Sequence, residues 1–434
     1  MHSQGQRFRS IEQTTYFLFV AKWVLIALGV GILVGSASAF FLVSLDWATR
    51  WREAHLWIIG LLPLGGLIVG LSYHYWGQDV VKGNNQLLEE LHTPRQIIPL
   101  KMAPLVLFGT LVTHFFGGSA GREGTAVQMG GAIADQFTRW LRLKPRDRKI
   151  LLTTGISAGF AAVFGTPLAG AVFALEVLMI GRVRYEALLP SLLTAVVADY
   201  TCHWWEVGHT HYAIPDIPAM QPTFFIWAVA AGIVFGLAAL CFSVVVHYFG
   251  NVFKSTLKYP PLRPVVGGTV LAVVVYLLGT TKYIGLGVPT ILAAFEGPLP
   301  FYDFALKLLL TTFTLGAGFK GGEVTPLFFI GATLGNALAY FMPLPVALLA
   351  GMGFVAVFSG ATNTPIACTI MGIELFGAES GVFVAIACVT AYLFSGHSGI
   401  YSSQIVGSPK HLLFGRNEGK SLSQITLLKR RPKR

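Results

Sequence analysis

Charge is scarce in this chain of 434 residues: Asp, Glu, Lys and Arg make up 12% of it, against 54% hydrophobic residues. Soluble domains carry about 25% charged residues, so a water-soluble globule is excluded and an integral membrane protein is expected. Acidic residues are the rarer sign, 20 against 31 Lys and Arg. Cysteine is rare too. Cys202, Cys241, Cys368 and Cys388 show no C-x-x-C spacing, which argues against a disulfide framework or a zinc site. The histidines are scattered; His209 and His211 share the most polar internal stretch, but no metal site is expected there. There is no P-loop and no nucleophile spaced with a base, so neither an enzyme nor a cofactor is expected. The polar start from Gln4 to Gln13 leads into an apolar run much longer than a signal-peptide core, with no small-residue cleavage site nearby.

Apolar runs long enough to span a bilayer fill the rest. They cover Tyr16 to Trp47, Leu56 to Tyr75, Pro99 to Phe116, Ile150 to Ile180, Phe224 to Phe249, Val265 to Leu278 and most of Phe304 to Phe394. At least ten membrane segments fit. The pattern divides into a polar start (1–15), a first membrane repeat (16–200), an external loop (201–221), a second repeat (222–406) and a basic tail (407–434). Basic residues gather at Arg7 and Arg9, from Arg139 to Lys149, at Arg182 and Arg184, from Lys254 to Arg263, and in the tail. By the positive-inside rule these face the cytoplasm, placing both termini there. They border membrane helices, so lipid rather than nucleic acid is their expected neighbour.

Two glycine-rich breaks interrupt this apolar sequence. Glu123 lies in Gly121-Arg122-Glu123-Gly124-Thr125 and Glu323 in Gly321-Gly322-Glu323-Val324-Thr325, 200 positions apart and both reading Gly-x-Glu-x-Thr. An ionisable side chain at membrane depth costs about 2.5–3.5 kcal/mol on insertion scales. A second pair repeats the offset almost unchanged: Thr166-Pro167-Leu168-Ala169 runs on to Glu176, and Thr364-Pro365-Ile366-Ala367 to Glu374. Two motif pairs in the same order indicate an internal duplication, with chance identity of short strings as the alternative. Interrupted helices in two such halves point to a midplane transport site, with half-helix N-termini aimed at an anion.

At these residues the chain resembles the CLC family of anion channels and anion/proton antiporters over nearly its whole length. Gly117 to Gly131 (GGSAGREGTAVQMGG) is similar to the family's GREGP segment. Phe164 to Gly170 resembles the stretch before its intracellular glutamates, Gly322 to Pro326 its GxFxP segment, and Tyr401 its pore tyrosine. The departures are equally specific. Gly83-Asn84-Asn85-Gln86 stands where chloride members have GSGIP, Thr125 where they have proline, Val324 where they have phenylalanine, and Val177 in place of the second intracellular glutamate. Together these resemble the bacterial fluoride/proton antiporter branch.

The resemblance implies an all-α polytopic membrane protein with the CLC-type inverted-repeat fold of interrupted and re-entrant helices, a homodimer of the inner membrane exchanging fluoride for protons. Its alternatives are a chloride-type antiporter and a passive channel. Glu123 is then expected to gate the path and carry the proton; a structural role paired with Arg122 is the alternative. Glu323 is a candidate second proton station, because Val177 cannot ionise. The anion site is expected from Gly83, Asn84, Gly121, Arg122, Gly124, Gly322, Val324, Thr325 and Tyr401. Glu176 and Glu374, which end short helices, are expected to be structural.

Overall fold

The computed structural model describes residues 2–219 and 221–430, and among them seventeen α-helices dominate. The first eight are α1 (His2–Ala54), α2 (Leu62–Tyr75), α3 (Asn84–His92), α4 (Met102–Phe115), α5 (Glu123–Trp140), α6 (Pro145–Phe164), α7 (Pro167–Glu176) and α8 (Leu188–Trp204). The next eight repeat their order. They are α9 (Pro222–Thr256), α10 (Leu262–Leu278), α11 (Val288–Glu296), α12 (Asp303–Gly316), α13 (Val324–Leu338), α14 (Val346–Thr362), α15 (Pro365–Phe376) and α16 (Gly381–Phe394), and α17 (Leu422–Arg430) follows.

The packing repeats as well. α5 lies on α6 as α13 lies on α14, α6 on α8 as α14 on α16, and α1 on α8 as α9 on α16. Across the two halves α2 meets α10 and α7 meets α15. Close helix approach depends on glycine at matching places: a methyl on Gly130 would run into the Gly155 carbonyl, and one on Gly331 into the Gly353 carbonyl.

The same local punctuation starts the short helices of both halves. α6 ends at Gly165 (φ 69°) and α14 at Asn363 (φ 60°), both in the left-handed conformation that Gly and Asn adopt most readily. Each is followed by Thr-Pro, and the proline supplies the first residue of α7 or α15, where its missing N–H costs nothing. These ten- and twelve-residue helices are far too short to cross about 30 Å of hydrocarbon. They are tolerated because protein, not lipid, surrounds their ends.

Three boundaries differ from the sequence expectation. Helix α1 begins at His2, so the polar start continues into the first apolar helix as one element. Helix α8 continues to Trp204, four residues into the expected loop, because its last turn still buries Thr201 and Cys202. The tail is not free: Leu422 and Ile425 of α17 pack on Ile180 and Val406, where strand β1 (Met179–Ile180) pairs in parallel with β2 (Ile405–Val406).

Candidate functional site

The two glycine breaks meet. Gly121 and Gly322 exchange both backbone hydrogen bonds, N–H to carbonyl at 2.6 and 2.7 Å, in an antiparallel bridge. A side chain on Gly322 would strike the backbone nitrogens of Arg122, Glu123 and Gly124, so this approach needs glycine. The bridge brings the N-termini of α5 and α13 together. Neither N-cap residue turns its own side chain back onto its helix, so both positive dipole ends face the junction.

A carboxylate is already there. Glu123 is fully buried, and its Oε2 accepts from the Thr325 backbone N–H at 3.0 Å and the Arg122 N–H at 3.2 Å. Its Oε1 accepts from the Thr325 hydroxyl at 2.6 Å. Thus the first helix's glutamate fills the anion position at the second helix's N-terminus. The Arg122 guanidinium lies 3.5 Å from Oε1, an ion-pair distance without hydrogen-bond geometry. Arg122 therefore supports the charge, while Thr325 holds the carboxylate.

Asn84 and Gly124 face each other on the other side of the bridge. A Cβ on Gly124 would stand 3.1 Å from Asn84 Nδ2, 3.1 Å from the Gly322 Cα and 3.6 Å from Glu323 Oε2. Asn84 is the first residue of α3, preceded by Gly83 with φ 56°. Its Oδ1 is buried without a hydrogen-bond partner among the described residues. Two ties fix α3. Arg148 on α6 binds Glu90 at 3.0 Å and Asp135 of α5 at 2.7 Å, and the Ser403 N–H donates to Asn85 Oδ1 at 2.9 Å.

A cavity of about 10 Å³ lies between Asn84, Leu87, Leu88, Val127, Ile156, Phe173, Val177 and Tyr401. That is room for about one water-sized occupant, and the wall is apolar apart from the Asn84 amide and the Tyr401 hydroxyl. Val177, where the resemblance leads one to expect a carboxylate, is part of that wall. Tyr401 is buried and within Coulombic reach of both Glu323 and Glu123.

Of the residues expected at the site from sequence, Gly121, Arg122, Glu123, Gly124, Gly322, Glu323 and Thr325 lie at or beside the bridge, Asn84 faces Gly124, Gly83 precedes α3 against Gln128, Val324 begins α13, and Tyr401 lines the cavity with Asn84. Sequence reasoning missed Gln404. Fully buried, its Nε2 donates at 2.9 Å to the carbonyls of Val177 and Thr362, and its Oε1 accepts from Asn363. It pins the Tyr401 segment to the ends of α7 and α14. It follows Ser402 and Ser403 in a polar stretch, so no local signal set it apart.

The expected structural pair, Glu176 and Glu374, is reciprocal. Glu176 accepts from the N–H groups of Ile366 (3.1 Å) and Ala367 (2.8 Å), and Glu374 from those of Leu168 (2.9 Å) and Ala169 (2.8 Å). Each short helix carries in its last turn the carboxylate that caps the other.

With this geometry in view, comparison with known proteins is informative. A family model described as "Voltage gated chloride channel" matches residues 65–396. A protein of Pseudomonas syringae pv. tomato described as "Chloride/fluoride channel protein" is 54% identical over 417 residues, spanning 95% of this chain and 92% of its own. An "H(+)/Cl(-) exchange transporter" of Vibrio vulnificus is 26% identical, spanning 80% of each. A crystal structure of a CLC-type fluoride/proton antiporter superposes with a TM-score of 0.86 at 37% identity, covering 88% of this chain and 98% of that one. A slow cyanobacterial Cl⁻/H⁺ antiporter gives 0.77 at 19% identity, covering 94% and 97%, a likeness of fold alone.

Proposed function

Because this chain belongs to the voltage-gated chloride channel family, we propose that it is a fluoride/proton antiporter that exports fluoride from the cytoplasm in exchange for protons. One observation carries this reading: the Glu123 carboxylate occupies the anion position at the α13 N-terminus, held by the Thr325 N–H and hydroxyl. A group that closes the path when charged, and frees it when protonated, makes proton and anion compete for one place. That competition couples the two flows.

Fluoride is favoured over chloride by the inner side of the site. Fluoride is smaller, more strongly hydrated and a better hydrogen-bond acceptor, and the cavity beside Asn84 has room for about one water-sized occupant. Selectivity of this kind depends on donor number and field strength as well as size. Asn84 Nδ2, Tyr401 and the first N–H groups of α5 and α13 supply those donors. Glu323, facing Gly124 across the bridge, serves as the second proton station that Val177 cannot be. A chloride-type antiporter is the second reading, since relatives with chloride in their descriptions share the fold.

The protein works as a homodimer in the bacterial inner membrane with both termini cytoplasmic, each subunit holding its own path. Export is driven without ATP. Hydrogen fluoride crosses membranes neutral and dissociates in a near-neutral cytoplasm. Fluoride leaving and a proton entering both move charge down an inside-negative potential, about 4.6 kcal/mol per 100 mV for one-to-one exchange. The test is fluoride and chloride efflux from liposomes with simultaneous pH recording. Fluoride-driven proton uptake at a rate well above chloride-driven uptake supports the reading. Anion efflux without proton movement would make the protein a channel, and faster chloride exchange would reverse the selectivity. In cells, loss of the protein should produce fluoride sensitivity that grows in acidic medium.

A further inference from the structure

The polar segment between α8 and α9 is a strap that packs back onto the helical core. Tyr212 lies within Coulombic reach of Arg122 and Glu123 and packs its ring on Phe295 and Phe354, and Ile214 is buried in the core. Near its start the strap carries His209, whose ring rests so closely on Gly165 that a Cβ there would stand 2.6 Å from Cδ2.

His209 Nε2 faces Asp199 Oδ1 of α8 at 3.9 Å, and His203 Nδ1, one helical turn on from Asp199, lies 3.5 Å from the same oxygen. Side-chain exposure is 10% for His209 and 13% for Asp199. Both His209 Nε2 and Asp199 Oδ1 are fully screened from solvent, and neither has a hydrogen-bond partner among the described residues. Two buried lone-pair atoms facing each other without a donor between them are costly. The His209 ring is enclosed between Gly165 and Asp199. It also interacts with the Val163 carbonyl, the kind of second partner that fixes a ligating histidine's tautomer.

We propose that Asp199, His203 and His209 form a site for a divalent transition ion of the Zn²⁺ class, and that filling it slows ion exchange by pinning the strap over Glu123. The donor set, two imidazoles and one carboxylate, suits Zn²⁺, Co²⁺ or Cu²⁺ over Mg²⁺ or Ca²⁺. Neighbouring ligands of a tetrahedral zinc ion stand about 3.3–3.5 Å apart; the two histidines stand 3.5 and 3.9 Å from the Asp199 oxygen, and all three ligand atoms lie within 4.8 Å of one another, so the site closes by side-chain movement. His203 must turn its Nδ1 from the Asp199 carbonyl, 3.1 Å away, and at 57% exposure it has room to do so. Water completes the shell. The ion joins α8 to the strap and so restrains the segment that carries Tyr212. The inhibition half of this proposal rests on Glu123 being the gate; the binding half does not.

The experiment uses the purified full chain. Co²⁺ titration in detergent is followed by visible absorption, and exchange of whichever anion is transported, fluoride or chloride, is measured in liposomes with Zn²⁺ on both faces or with chelator. We expect one Co²⁺ per chain with a tetrahedral band, displaced by Zn²⁺ and not by Mg²⁺, and exchange slowed several-fold by Zn²⁺ and restored by chelator. His209→Gln and the fold-sparing His203→Gln, an exposed position, should each weaken Co²⁺ binding at least about tenfold. Absence of a saturable band, a band unchanged in both variants, or a filled site with undiminished exchange would each overturn the proposal. The absorption signal is independent of which anion moves, so failure of the fluoride reading would be seen separately.

Discussion

Two pairs of carboxylates occupy matching places in the two halves, the proposed proton-handling pair Glu123 and Glu323 and the capping pair Glu176 and Glu374, yet only one pair has kept its symmetry. Glu176 and Glu374 do the same thing in mirrored places, each accepting two N–H groups from the other half's short helix. Glu123 and Glu323 do not. Glu123 is held by Thr325, whereas the matching threonine, Thr125, pairs its hydroxyl with Thr110 at 2.7 Å and leaves Glu323 beside Gly124. A carboxylate that only caps a helix gains nothing from differing between the halves. A coupled transporter needs the opposite: one carboxylate in the anion position and another beside it, so that proton and anion take separate ways from a shared point. Broken symmetry is what the proposed roles of Glu123 and Glu323 require.

The strongest way to break this comparison is to remove the proton from the plugging carboxylate. In Glu123→Gln we expect fluoride-driven proton uptake in liposomes to fall at least about tenfold, a barrier change of roughly 1.4 kcal/mol or more. Anion efflux should persist, because the amide keeps the shape of the plug without its charge. Undiminished proton uptake would place the gate elsewhere.

Glu323→Gln should act next most strongly. The side chain lies beside Gly124 and is not held by the threonine of its partner motif, so losing its titratable group should leave the fold intact and cut proton flux several-fold, with smaller effect on anion flux. If proton and anion rates fell together, Glu323 would be a packing residue and the asymmetry would carry no mechanism.

For the symmetric pair the expected readout is stability. Glu176→Gln and Glu374→Gln each weaken two charge-assisted bonds to helix N–H groups, a loss of about 1–2 kcal/mol. Thermal midpoints in detergent should fall by similar amounts in both, and the ratio of proton to anion flux should stay at the parent value. A changed ratio in either one would return that glutamate to the proton route.

Much of this was readable in the residues. Glu123 and Glu323 stood out because a carboxylate in apolar sequence needs a reason, and the repeated Thr-Pro starts gave away the second pair. The αL residues before them follow from local chemistry, Gly165 in one half and Asn363 in the other. What sequence could not give lies between distant residues. That Glu176 caps residue 367 and Glu374 caps residue 169 depends on α7 and α15 lying side by side. That Thr125 turns to Thr110 while Thr325 turns to Glu123 depends on α4, which no motif mentions. Gln404 and the Asp199, His203 and His209 cluster were missed for the same reason; attention went to His209 with His211, and the helical Asp-x-x-x-His spacing from 199 to 203 was the signal available.

The smallest expected effect is the most discriminating for the identity of the anion. Asn84 extends its amide toward Gly124, and the space it leaves is about 10 Å³. In Asn84→Ser the side chain is shorter, the cavity widens, and an NH₂ group with two donors is exchanged for one hydroxyl. A wider space with fewer donors disfavours the smaller, more strongly hydrated ion and admits the larger one. The ratio of fluoride to chloride exchange should fall about two- to tenfold, which corresponds to roughly 0.4–1.4 kcal/mol, with proton coupling retained because Glu123 and Thr325 are untouched. The shift should be partial, since Tyr401 and the backbone N–H groups of α5 and α13 still line the path. An unchanged ratio would assign Asn84 to starting α3 and move the source of selectivity to the helix N-termini, where both halves contribute.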